Sequence, residues 1–157
     1  MMFANLGEFA AFMATLAPKE LALDTLGREK VAKLLKSAIK AHLGGPVDGP
    51  KSPFNWAPLA DSTVAKKGHD RPLYETGALR DSIDWGHEAP RKTVVGSTDE
   101  KAPWHEFGPS NGRFPRRSFL AGTANEKNDE AFALYVATMK RLTQSAAITG
   151  SSTVRIK

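Results

Sequence analysis

Leu6, Phe9, Ala10, Met13 and Leu16 recur at helical spacing, which predicts a short amphipathic helix at the start of the chain. Pro18 is expected to end or kink it, because proline lacks the N–H and its ring clashes with the preceding turn. A second helical pattern runs to about Leu43. It carries Val31, Leu34, Leu35, Ala38, Ile39 and Leu43 on one face and turns Lys33, Lys36 and Lys40 outward. Gly44 and Gly45 followed by Pro46 form a strong stop. From Gly44 to about Pro72 the chain is rich in Gly, Pro, Asp and Ser, and connections of that length are usually functional or mobile until they bind something. Inside it, Trp56-Ala57-Pro58-Leu59 carries apolar side chains for which a passive linker has no use. Asp61 to Lys67 reads as a short helix capped by Asp61 or Ser62.

Beyond the loop the period changes. Thr76 is placed to cap a helical turn leading into a strand, in which Ile83, Trp85 and His87 share one face and Asp84 and Gly86 the other. Ala89-Pro90-Arg91-Lys92 is a turn and Thr93 to Ser97 a second, β-branched strand, so the pair reads as a hairpin. Ala102 to Gly108 reads as one helical turn with Pro103 near its start and Gly108 as its C-cap. Pro109 to Arg117 is a polar, basic loop, and Ser118-Phe119-Leu120 suggests a short third strand. Thr123-Ala124-Asn125-Glu126 has capping-box spacing ahead of a last helix, whose stripe is Phe132, Tyr135, Val136, Met139 and Leu142.

These elements make an α+β fold: a small antiparallel sheet packed by a long N-terminal helix and a C-terminal helix, with a long Pro/Gly-rich loop. The length of 157 residues suits a single domain. Its expected parts are N-terminal helices over 1–43, the loop over 44–72, a sheet core over 73–122, a helix over 123–147 and a flexible tail over 148–157.

Composition narrows the chemistry. The chain has no cysteine, so neither a disulfide framework nor a thiolate metal site is available. No stretch approaches the ~20 consecutive apolar residues that span a bilayer, so no membrane partner is expected. Met1 to Leu16 lacks a basic leader and carries Glu8, and reads as a helix rather than a secretory signal. The net charge of +5 is mild. It concentrates at Arg113, Arg116 and Arg117, with no acid between them, and at Lys140, Arg141, Arg155 and Lys157 after the last acid, Glu130. Either patch suits phosphate contact or plain solvation.

Enzymatic patterns fail one by one. His105-Glu106 begins like a zinc-binding helix, but the second histidine four residues on is Pro109. His69, His87 and His105 have no spacing that requires a shared metal. Ser82 and Ser118 lack a nucleophile-elbow context, and no Gly-rich phosphate cradle is present. No catalytic, cofactor-binding or metal-ligating residue is assigned. The tryptophans do not alternate with basic residues as a stacking groove would, so packing or subunit contact is the better account of them.

Read in order, the segments resemble the virion morphogenesis or tail completion proteins of long-tailed phages, with the gpG-like proteins of Mu-type phages and related lambdoid neck proteins nearest. The residues that carry the resemblance begin with Trp56-Ala57-Pro58-Leu59, Thr63 and Lys67. Pro72-Leu73, Thr76-Gly77-Ala78-Leu79, Ser82-Ile83 and Val95-Gly96 follow, then Ala102 to Gly108 and Pro115 to Leu120. The match covers about residues 54 to 123. The family usually has Arg-Pro-Phe-Leu where this chain has Arg117-Ser118-Phe119-Leu120, so a different entry to the last helix is expected.

The resemblance implies a non-enzymatic virion protein, assembled in the bacterial host cytoplasm. It would form a homo-oligomeric, hexameric ring in the neck or at the head-proximal end of the tail. Its partners would be head connector or adaptor proteins and tail tube or tail terminator proteins, with DNA passing non-specifically through the lumen. A ring needs two different patches on each subunit. Trp56, Leu59, Trp104, Phe107 and Phe119 are the expected subunit or neck contacts, and Arg113, Arg116 and Arg117 the contacts to DNA in the lumen or to an acidic partner. Two other classes remain: a free-standing basic nucleic-acid-binding protein, with steeply salt-dependent affinity, and a metal-dependent hydrolase that would need His105.

Overall fold

The structure is a computed structural model that describes residues 6–43, 54 and 56–149, with side chains over 20–43, 54 and 56–140. The fold is α+β, with eight elements in the order α1 (Leu6–His42), α2 (Asp61–Lys67), α3 (Ala78–Asp81), β1 (Ile83–Ala89), β2 (Lys92–Ser97), α4 (Ala102–Phe107), α5 (Leu120–Glu126) and α6 (Asn128–Thr149).

The two expected N-terminal helices are one. α1 continues through Pro18, so the proline removes a single backbone donor without dividing the helix. Gly27, Ala32 and Ile39 are buried on it, as is Leu43 just past its end, and Leu35 packs half-buried beside the core. Of the lysines expected outward, Lys33 is exposed, whereas Lys36 is half-buried and bonds Asp84 of β1 at 2.8 Å. Glu29 reaches His87 at 3.3 Å, and the Lys33 ammonium lies 5.5 Å from the Trp85 ring centre. Rising numbers on α1 meet falling numbers on β1, so helix and strand run in opposite senses.

The hairpin forms as its alternation requires. Ile83 pairs with Ser97, Trp85 with Val95 and His87 with Thr93. An irregularity follows between His87 and Ala89, and Arg91 in the turn takes a φ of 62°. Ile83 is fully buried, while the Trp85 and His87 rings meet edge-on at 5.6 Å on a more open part of the same face. Among the described residues the sheet has two strands. The expected third strand is absent: Ser118 and Phe119 belong to no regular element, Phe119 has a helical backbone conformation, and Leu120 opens α5. Their hydrogen-bonding groups are taken by a side chain, so no ladder forms.

The expected last helix is two: α5 begins at Leu120, ahead of the capping-box pattern, and α6 begins at Asn128. Thr123 lies inside α5, fully buried, and its hydroxyl donates to Phe119 O at 2.7 Å. Glu126 is bonded to His42 of α1 at 2.7 Å rather than to a helix N-terminus. The α6 stripe is only half realised. Tyr135, Val136 and Met139 are half-buried, but Phe132 is 69% exposed, and the Leu142 side chain lies outside the described set. α6 runs to Thr149; the rest of the expected tail lies outside the described residues.

α1 is the spine of the molecule. It packs against both strands, α5 and α6. The core joins Ile39 and Leu43 to Leu79, Ile83, Ala102 and Phe119, with Trp56, Leu73, Val95 and Leu120 packed around them.

Candidate functional site

α4 forms where Pro103 opens a helical turn, and Gly108 closes it at a φ of 85°, a left-handed value that favours glycine. Its role lies in its C-terminal half. Glu106 is only 4% exposed, and its carboxylate is the cap of α5. Oε1 accepts from Ser118 Oγ at 2.6 Å and Ala121 N at 3.0 Å, and Oε2 from Phe119 N and Leu120 N at 2.9 Å each. Four donors meet one carboxylate at a helix N-terminus, where negative charge is favoured. Burial pushes the Glu106 pKa up, but the hydrogen bonds from Ser118, Leu120, Ala121 and Phe119 outweigh it and hold the carboxyl below its usual value.

The tie is reciprocal. Arg117 N donates to His105 O at 2.9 Å and Arg116 Nε to Glu106 O at 2.8 Å, satisfying carbonyls that end α4. The Arg117 side chain then turns inward. Its Nη2 donates to Ala57 O at 2.7 Å and lies 3.4 Å from Pro58 O, pinning the loop that carries Trp56. Trp56 is stacked on Phe54 at 5.1 Å, and Phe54 in turn meets His42 edge-on at 4.6 Å.

Beside this latch is a cleft of about 420 Å³. Its walls are Pro58 to Ala60, one side of α2 (Thr63, Lys67), the Leu73 to Leu79 stretch, and Arg113 to Pro115 with Arg117. Its charged lining is Lys67, Lys101, Arg113 and Arg117 against Glu75 and Asp99. His105 lines it too. Burial, then the nearby Arg117 charge, holds the His105 pKa below its usual value, so the ring is neutral near pH 7. Its Nδ1 is buried without a partner, as is Nε of Arg117.

The expected contact residues divide. Trp104 is 54% and Phe107 76% exposed, both on α4. Phe119 has no exposed surface and belongs to the core, which corrects its expected place among the contacts. Trp56 is half-buried in an internal aromatic stack, and Leu59, half-buried, lines the cleft. Arg113 and Arg116 are exposed. Arg117, at 6% exposure, is not available to a lumen as expected, because the loop carbonyls draw its guanidinium inward.

His69 accepts from Arg71 N at 3.2 Å, His87 sits between Thr93 and Glu29, and His105 lies against Phe114 at 5.3 Å. Among the described residues no three His, Asp or Glu side chains gather in a metal-holding group. Sequence reasoning missed Glu106 as a structural cap. Its signal was there, a glutamate two residues ahead of Gly108 and twelve before Ser118, but no local rule pairs residues that far apart. Among the described residues no helix is long and apolar enough to cross a membrane. No protein-family model, curated protein or solved structure matches this chain.

Proposed function

We propose that the chain is a structural virion protein of a long-tailed DNA phage, a tail completion or head–tail joining protein that acts by binding. One observation carries this reading. The separated segments on which the phage resemblance rests are tied through Glu106 and Arg117 into one block, and that block leaves Trp104, Phe107, Arg113 and Arg116 exposed. Large exposed aromatic residues and exposed arginines suit a contact surface, since aromatic and arginine side chains dominate binding energy at interfaces. In a ring, that surface meets a different patch on the next subunit, and the ring joins connector or adaptor proteins to tail tube or terminator proteins. Exposed arginines near a lumen would hold DNA by phosphate contacts without reading bases.

Electron microscopy of lysates from a phage whose copy of this gene carries a stop codon tests the proposal. Filled heads beside separate tails are the expected result, and abnormal tail lengths would assign the role to tail termination. Intact, joined and infectious particles would overturn it in favour of a free-standing nucleic-acid-binding protein.

A further inference from the structure

We propose that the cleft beside α4 is a docking site for a short acidic and apolar peptide segment of a partner protein, a carboxylate lying among its cations and an apolar side chain against Leu59 and Leu73. The proposal rests on the reading that the chain works by binding other proteins.

Arg117 is the first observation. Its guanidinium is buried, yet among the described residues no carboxylate lies within ion-pair distance, and its Nε has no hydrogen-bond partner. Buried charges are normally paired, because desolvation of a lone ion is expensive. Two loop carbonyls satisfy only part of this one. Neutral His105 adds a second unpartnered buried nitrogen on the same cleft wall.

The lining supplies the second observation. Lys67, Lys101, Arg113 and Arg117 outnumber Glu75 and Asp99, so the recess selects an anion. Leu59 and Leu73 give it an apolar wall, which inorganic phosphate would leave uncovered. Its volume falls in the range of pockets that enclose small ligands and side chains. A DNA duplex, a rod far wider than the recess, would touch only its rim. The chain's own residues 150–157 hold Arg155 and Lys157 and no acidic side chain, so like charge keeps them out.

An array of short labelled peptides combining Asp or Glu with Leu, Ile or Phe tests this against the folded full-length chain. Arg113→Glu and Thr63→Trp, the first reversing charge at an exposed position and the second filling the cleft, serve as variants. Arg117→Met is not relied upon, since it also releases the loop. The expected result is binding that weakens roughly tenfold or more in both variants at unchanged melting temperature, and is lost when the acids are replaced by Lys. Absence of binding across the array, or equal binding by Thr63→Trp, overturns the proposal. So does single-stranded DNA that competes for the same cleft with the same sensitivity to Thr63→Trp, which would assign the site to phosphate. None of these results alters the lysate morphology, on which the phage reading stands or falls separately.

Discussion

Glu106 and Arg117 are both charged and buried, eleven positions apart, and the fold treats them differently. The carboxylate is surrounded by four donors; the guanidinium meets two carbonyls and leaves one N–H idle. Glu106→Gln keeps the shape but offers one acceptor oxygen and points an amide at backbone donors. It is expected to destabilise the chain by about 2–4 kcal/mol at neutral pH. The pH dependence follows from the depressed carboxyl. A folded pKa below the ordinary 4.5 means the stabilisation is full above that value and is lost as pH falls through the folded pKa. Urea unfolding at pH 7 should separate wild type from Glu106→Gln widely, and the gap should close on acidification; a gap independent of pH would remove the carboxylate from the capping role. Ser118 stands where the resembling family usually has proline, and its hydroxyl adds a bond to the same cap without using its own N–H.

Among the elements, α5 shows most plainly how position depends on partners. It has no side-chain cap of its own, and its N-terminus is set by a residue on α4. Its other constraint is close approach: a Cβ on Gly122 would overlap the Phe54 ring. Gly122→Ala therefore gains helix propensity but must displace Phe54, and with it the stack on Trp56. A net loss of about 1–3 kcal/mol is expected, read as a lowered melting temperature together with a change in tryptophan fluorescence. An unchanged or raised melting temperature would mean the Phe54 ring is not held there. The same device joins α1 to α6, where a Cβ on Gly27 would lie 2.8 Å from Tyr135, whose hydroxyl donates to Asp24 at 2.7 Å. The hairpin, α2 and α4 were legible in the sequence because alternation, turn residues and Pro103 with Gly108 act within a few positions. The third strand and the Thr123 capping box were misread because Phe119, Leu120 and Ala121 spend their N–H groups on Glu106, a partner no local pattern reveals. α2 itself begins one residue after Ala60, with no side-chain hydrogen bond at its cap from Asp61 or Ser62.

At the scale of the whole molecule, Trp104 and Phe107 leave the largest mark. They are exposed on a helix otherwise used to hold the fold together, so replacing them should spare folding and impair association. Trp104→Ser with Phe107→Ser is expected to stay within about 1 kcal/mol of wild-type stability and, under the proposed ring, to sediment as a smaller species than the wild type. A double variant that assembles like the wild type would take α4 out of the subunit contact. The sequence by itself determined the hairpin, the helices on either side of it, the α+β class and the basic, cysteine-free composition, because each is written in spacing or residue content. Only the tertiary structure decided that Phe119 is core, that Arg117 faces inward and that Glu106 starts α5. Those outcomes depend on burial and on hydrogen bonds between residues far apart in the chain, and such pairings exist only once the segments have packed.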